Sequence, residues 1–194
     1  MSKLGYAFTW LTGGNNALGG WDTNVVTGAM PQKVATAVGD LGETLLGAAY
    51  NPIAYLGSKQ VNGVLHAVLA EQILVTGVDQ HNIVILQFLE KGTDCSLYSI
   101  ETVLEGGAAF GGLKVDPKVG DEMPAEAIEV FNKVTAGWVG ATLHPVAYLG
   151  SKTTKGMNNI FLATVTPVVP NPKADVKLIV VNGVMNTIDF IDVL

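Results

Sequence analysis

One short motif is written twice in this chain. The stretch PIAYLGSKQVNG begins at Pro52, and PVAYLGSKTTKG begins 93 residues later at Pro145. The same register holds upstream, where Met30-Pro31 matches Met123-Pro124. A period this long is that of a whole small domain rather than of a solenoid unit. The sequence therefore predicts a tandem duplication.

The duplication sets the predicted domain boundaries. Copy one covers residues 13–104 and copy two covers residues 105–194. The segment before them, residues 1–12, resembles the final strand of a copy, since GYAFTWLTGG is similar to LYSIETVLEGG. We expect this extra strand to pair with a sheet edge, within the chain or on a neighbouring molecule, and so to allow self-association.

Each copy has the same predicted order of elements. A Gly-Gly stretch precedes a helix opened by Pro31 or Pro124, a residue tolerated at a helix start. Val34, Val38, Leu41 and Leu45 form an apolar stripe on the first helix. Apolar runs joined by short turns such as QVNG, EKGTD and TTKG follow, and short turns require antiparallel strands. The predicted class is α+β: one helix packed on an antiparallel sheet of about four to five strands in each copy.

Composition excludes several kinds of function. The 194 residues are 48% hydrophobic and 14% charged, with a formal net charge of −6. This balance argues against a nucleic-acid-binding face, which needs clustered lysine and arginine. No apolar run reaches the roughly 20 residues of a membrane span. The single Cys95 excludes an intramolecular disulfide and fits a reducing compartment, so we expect a cytoplasmic protein.

The order of these motifs resembles the cystatins, and the disulfide-free stefin branch in particular. ALGGW and AFGGL stand where that family carries its N-terminal trunk glycine. KQVNG and KTTKG stand where it carries the Gln-x-Val-x-Gly hairpin, and GMNNIFLATV is similar to the strand that follows. The resemblance covers both copies and implies two tandem cystatin-like domains.

The resemblance also implies a function, the inhibition of papain-like cysteine proteases. In that family the trunk and two hairpin loops fill the active-site cleft without offering a cleavable bond. A hairpin tip that bears glycine can approach a cleft closely. The protease-binding residues implied here are Leu18, Gly19, Gly20, Lys59, Gln60, Val61, Asn62, Gly63, Phe110, Gly111, Gly112, Lys152, Thr153, Thr154, Lys155 and Gly156.

Departures from the family pattern support an alternative function. Lys59 and Lys152 replace the family's glutamine, and Thr154 stands where valine is expected. The second hairpins read EKGTD and NGVMN, without the usual Pro-Trp. The alternative is a non-inhibitory structural or adaptor protein that acts through protein–protein contacts or self-assembly.

No residue pattern indicates an enzyme, a metal site or a cofactor. Cys95 has no counterpart in copy two, and the three histidines lack metal-ligand spacing. LGSK leads into a strand and lacks the spacing of a phosphate-binding loop. Asp116, Asp121 and Glu122 are interpreted as a solvated lead-in to the second helix.

Overall fold

The computed structural model describes residues 20–75, 79–107 and 111–194. The predicted extra strand within residues 1–12 lies outside these residues, and the domain boundaries at 13–104 and 105–194 stay predictions.

The first half of the described chain forms one five-stranded antiparallel sheet and one helix. The strands lie side by side in the order β1-β2-β3-β4-β5, here called sheet one. Helix α1 connects β1 to β2 and packs on one face of the sheet. The elements are β1 (Trp21–Thr27), α1 (Gln32–Thr44), β2 (Ala48–Val61), β3 (Gly63–Val75), β4 (Asp79–Lys91) and β5 (Asp94–Glu105).

The second half repeats this order as sheet two. Its strands lie in the order β10-β9-β8-β7-β6, again antiparallel. One short 3-10 turn, Gly120–Glu122, precedes the helix. The elements are β6 (Leu113–Val119), α2 (Ala125–Thr135), β7 (Ala141–Thr153), β8 (Met157–Pro167), β9 (Asp175–Asn182) and β10 (Thr187–Asp192).

Both helices begin where the sequence predicts. Pro31 directly precedes α1 and Pro124 directly precedes α2. Of the predicted stripe, Val34, Val38 and Leu41 are buried against sheet one, whereas Leu45 lies directly after the helix and is only partly buried. Within the described ranges, neither helix is long and apolar enough to cross a bilayer.

The central strands are buried on both faces. Along β3, Ala67 and Leu69 belong to a core shared with sheet two, whereas Val68 and Ala70 belong to the core under α1. The shared core also contains Leu149, Leu162 and Leu178 of sheet two, so the two sheets pack face to face. The helices cover the two outer faces.

The predicted α+β class with two cystatin-like domains is wrong. Of the described residues, 60% lie in strands and 16% in helices, and the two sheets hold five strands each against two helices in all. A single helix covers only one face of its sheet. The long apolar strands would then leave a large apolar area of the other face exposed to water. The sheets remove this surface from water by packing on each other.

The strands that precede the helices are absent from the sequence prediction. Residues 21–27 and 113–119 form β1 and β6, each at an edge of its sheet. The prediction that Asp116, Asp121 and Glu122 form a solvated helix lead-in is wrong for Asp116, which lies on β6; Asp121 and Glu122 lie in the 3-10 turn. Both strands are irregular, with register shifts at Thr23/Val26 and Val115/Lys118. These shifts interrupt the alternation of apolar and polar residues by which a strand is recognised in a sequence.

The repeated LGSK motif has a structural reason. Gly57 and Gly150 have φ of +149° and +148°, in a region that side chains rarely adopt. A Cβ atom would lie 2.3 Å from the Asp22 carbonyl oxygen at Gly57, and 2.2 Å from that of Lys114 at Gly150. The glycines therefore allow the edge strand to approach a bulge in the next strand.

The two sheets stack in opposite directions. Asp22 and Thr23, near the β2–β3 turn, lie against residues 173 and 174, which precede β9 at the far end of sheet two. Conversely, Gly107 after β5 donates a hydrogen bond to Leu113 at the start of β6. The glycine-bearing turns of the two copies consequently lie at opposite ends of the sandwich.

Candidate functional site: the two ends of the sandwich

The predicted binding residues of copy one gather at one end of sheet one, here called rim one (Gly20, residues 59–63 and residues 91–94). Trp21 pairs with Lys59, which brings Gly20 beside the turn at Asn62. Val61 pairs with Gly63, and the side chains of Gln60, Val61 and Asn62 are exposed. Leu18 and Gly19 lie outside the described residues.

The predicted residues of copy two form the corresponding rim two (residues 111–112, 152–157 and 183–186). Leu113 pairs with Lys152, so Gly111 and Gly112 lie beside the turn at residues 153–156. Lys152, Thr153, Thr154 and Lys155 are exposed, and Gly156 has φ of +107°. Phe110 lies outside the described residues.

An asparagine pair holds the two turns of rim two together. Asn182 donates to the Asn158 side-chain oxygen at 3.0 Å and accepts from the backbone N–H groups of Val184 and Met185. Asn158 donates to Thr154 Oγ1 at 2.8 Å. These bonds satisfy the polar groups of the turns internally. The Val184 and Met185 side chains stay 79% and 53% exposed.

A different network, made of ionisable side chains, lies beside rim one and reaches it at Gly92. Tyr55 Oη lies 2.9 Å from His66 Nδ1, and His66 Nε2 lies 3.1 Å from Glu90 Oε2. Lys33 donates to Glu90 Oε1 and to the Gly92 carbonyl, both at 2.6 Å, and so ties α1 to the β4–β5 turn. The hydrogen bond from Lys33, followed by that from His66, lowers the pKa of Glu90.

This network is structural rather than nucleophilic. Burial raises the pKa of the Tyr55 hydroxyl. Burial, and then the charge of Glu90, raises the pKa of the nearby Cys95 thiol, so the thiol stays protonated at neutral pH. In the described ranges no cluster of three or more histidine, cysteine, aspartate or glutamate side chains could hold a metal ion.

The groove beside α1 does not resemble a substrate site. It has a volume of about 310 Å³ and is lined mainly by apolar side chains, including Val26, Met30 and Ile53. Substrate sites place a few convergent polar groups in such a cavity. Here the lining hydroxyl of Tyr55 is already engaged with His66.

A second feature of the ends is a pair of matched apolar corners. Corner one contains Leu46, which is 95% exposed, and Val75, which is 72% exposed. Corner two contains their counterparts Val139 and Val168, at 76% and 72%. Val75, at the end of β3, donates its backbone N–H to the Gly47 carbonyl at 2.8 Å, and Val168, directly after β8, donates to the Gly140 carbonyl at 2.9 Å.

The large exposed apolar side chains of the described residues concentrate at these ends. All of them except Tyr98 lie in turns or at strand ends: Leu46, Val61, Val75, Val139, Met157, Val168, Val169, Val184 and Met185. Turns normally carry glycine, proline, asparagine, aspartate or serine. The apolar residues in the turns LLG, AGWVG and TPVVPNP are the sequence feature that indicates these exposed ends. None of them is among the predicted binding residues.

Comparison with known proteins gives no relative. No protein-family model matches the chain, and no curated protein matches it. The candidate site is therefore defined by its geometry: each end of the sandwich combines the rim of one copy with the apolar corner of the other.

Proposed function

We propose that this protein is a non-enzymatic structural protein that associates with further copies of itself through the two ends of its sandwich. The observation that supports this most directly is the concentration of exposed apolar side chains at the ends, at matched positions in the two copies.

Exposed apolar surface of this kind favours association. Burying it contributes about 25 cal/mol per Å². Single exposed apolar residues are common, but contiguous patches rimmed by polar groups mark interaction surfaces. Leu46 and Val75 lie close together at one end, where the Val75 N–H binds the Gly47 carbonyl, and Val139 and Val168 lie close together at the other, where the Val168 N–H binds the Gly140 carbonyl.

The interior supports a structural role. In the described ranges no buried side-chain nitrogen or oxygen lacks a hydrogen-bond partner. The polar groups of the Tyr55–His66–Glu90 network and of the Asn158–Asn182 pair are directed at the protein itself. The exposed apolar side chains at the ends are therefore the surface that we expect a partner to cover.

Sedimentation velocity over a concentration series tests this proposal. Wild-type protein is expected to form larger species as its concentration rises, and Val139→Asp to shift this rise to higher concentration. Tyr98→Asp is the matched control, because Tyr98 is 63% exposed but lies in the middle of β5, away from the ends. A wild type that stays monomeric up to millimolar concentration, or equal weakening by both variants, contradicts the proposal.

A second candidate function is a wedge that fills the cleft of a papain-like protease. It is supported by the position of Gly20, of the Asn62 turn and of the β4–β5 turn at rim one. The expected result is inhibition of papain-family enzymes that Gly20→Trp or a charged substitution at Val61 weakens. Full protease activity at micromolar concentrations of the whole chain eliminates this candidate.

A further inference from the structure

The helix ends beside the two apolar corners carry opposite charges. Asp40 and Glu43 are exposed near the C-terminal end of α1, beside corner one, and no basic residue lies in that last turn. Lys133 is exposed in the last turn of α2, beside corner two. Lys133 follows Asp40 by 93 residues, the repeat period, so the same position carries a carboxylate in one copy and an ammonium in the other.

The acidic end of α1 is unfavourable for the isolated helix. The C-terminal end of a helix carries partial negative charge, so an acidic side chain there is less favourable than a basic one. Lys133 shows that this fold accepts a lysine at the matched position. Interactions within copy one therefore do not explain the carboxylates at this end of α1.

The turns that form the corners carry little charge. Residues 45–49 read LLGAA, residues 136–140 read AGWVG, and residues 166–172 read TPVVPNP; the exception is Asp79, which pairs with Val75 at corner one. Each corner is thus largely apolar, with an acidic helix end beside corner one and a lysine at the helix end beside corner two. This is the pattern of complementary interfaces, in which charges at the rim set orientation.

We infer that corner one of one molecule docks on corner two of the next, so that the chain assembles head to tail. Leu46 and Val75 then meet Val139 and Val168, while Asp40 and Glu43 lie near Lys133. This inference rests on the proposed self-association and adds its polarity.

Docking of like corners is disfavoured by the same charges. A corner-one pair would bring two copies of Asp40 and Glu43 together with no cation in either helix end. Like charges placed across an interface cost free energy and select against that pairing. Because the two corners lie at opposite ends of the sandwich, a head-to-tail contact leaves one of each free and produces an open chain.

Mixing two blocked variants tests this polarity. Leu46→Asp and Val139→Asp each place a carboxylate in an apolar centre, where its desolvation blocks corner one or corner two. Because the two introduced carboxylates repel each other, the two blocked corners do not pair in a mixture. Both side chains are largely exposed, so folding is expected to be unaffected, and circular dichroism checks this. Each variant alone is expected to stay monomeric in sedimentation velocity, whereas a one-to-one mixture is expected to form dimers and no larger species.

The alternative outcomes separate this inference from the proposed function. Dimers of either variant alone, with no further growth on mixing, indicate like-to-like docking and overturn the polarity but not self-association through the ends. A mixture that stays monomeric while the wild type associates also overturns it. A wild type that never associates overturns both.

Charge reversal provides an independent check that leaves the apolar centres intact. Asp40→Lys and Lys133→Asp are each expected to weaken association by about 2- to 5-fold, the range of an exposed ion pair. The double variant, Asp40→Lys with Lys133→Asp, is expected to recover the wild-type affinity. Additive weakening in the double variant contradicts the contact between these two positions.

Discussion

The two helices occupy the same place in the two copies but carry opposite charge patterns. Helix α1 carries Lys33 in its first turn and Asp40 and Glu43 near its C-terminal end. Helix α2 carries Glu126 in its first turn and Lys133 in its last turn. Only α2 complements the helix dipole. In α1 the cation at the N-terminal end is used to hold Glu90 and the Gly92 carbonyl, and the carboxylates at the C-terminal end face solvent.

The difference between the two helices shows that some residues are common to both copies and others are specific to one copy. The shared residues build the fold: the prolines before the helices, the glycine bulges and the apolar strands. At the ends of the sandwich the two copies differ: copy one has an ionisable network and an acidic helix end, and copy two has an asparagine pair and a basic helix end. Substitutions at matched positions test the effect of these differences.

The largest effect is expected at the glycine bulges. Gly57→Ala and Gly150→Ala each place a Cβ within 2.3 Å of a backbone oxygen at an unfavourable φ. Combining backbone strain with overpacking predicts a loss of about 3 kcal/mol or more of unfolding free energy at either site. Urea denaturation measures this loss.

A helical glycine supplies the control for these two variants. No atom lies within 4 Å of a Cβ built at Gly42 in α1. Gly42→Ala is expected to stabilise the protein by roughly 0.5–1 kcal/mol. A loss below 1 kcal/mol at Gly57 or Gly150, or a strong loss at only one of them, would show that the two bulges are not equivalent.

Two matched tyrosines should respond differently to loss of their hydroxyl groups. Tyr55→Phe leaves His66, which is 5% exposed, without its partner at Nδ1, and the expected cost is about 1–3 kcal/mol. Tyr148 packs on Phe161 with ring centroids 5.4 Å apart, and Tyr148→Phe keeps this contact, so a change within about 0.5 kcal/mol is expected. Thermal unfolding of both variants compares them; equal costs contradict a structural role for the Tyr55–His66 bond.

The ionisable network predicts an acid-sensitive contribution in copy one. The hydrogen bonds from Lys33 and then from His66 hold the pKa of Glu90 below its usual value, so the contribution of Glu90 to stability is present above that usual value and is lost as the pH falls through the lowered pKa. The stability difference between the wild type and Glu90→Gln is therefore expected to shrink as the pH decreases. Lys33→Met should raise the pKa of Glu90 in an NMR titration; an unchanged pKa is the contrary result.

The smallest effect is expected from the helix ends in the monomer. At concentrations below association, Asp40→Lys should stabilise the protein and Lys133→Asp should destabilise it, each by roughly 0.3–1 kcal/mol. Chemical denaturation at low and high salt measures both shifts, which should decrease with salt. Shifts of the same sign would contradict a helix-dipole origin.

The sequence predicted the elements of the fold better than their arrangement. The repeat, the prolines before the helices and the short turns gave the helix starts and the antiparallel neighbours. The packing of one sheet on the other was missed, although AVLA in β3 and IVIL in β4 are continuous apolar runs, a pattern of strands buried on both faces. The helix-facing stripe was identified, but half of the core lies on the opposite face.

The site was harder to predict for a physical reason. The rims follow from local turn chemistry, which sequence patterns describe well, and glycines such as Gly63 are needed there because a Cβ would lie 2.5 Å from the Glu90 carbonyl oxygen. The corners depend on which turn residues stay uncovered after the sheets stack. Leu46 and Val139 are indistinguishable from core residues until that stacking is known.

Small-angle X-ray scattering over a concentration series tests end-to-end association most directly. Association through the ends predicts that the maximum dimension of the scattering particle increases in steps of about one molecule while the radius of gyration of its cross-section stays constant. A cross-section that widens with concentration would show sideways association through the strand edges, and superimposable curves at all concentrations would show that the ends bind no further copy.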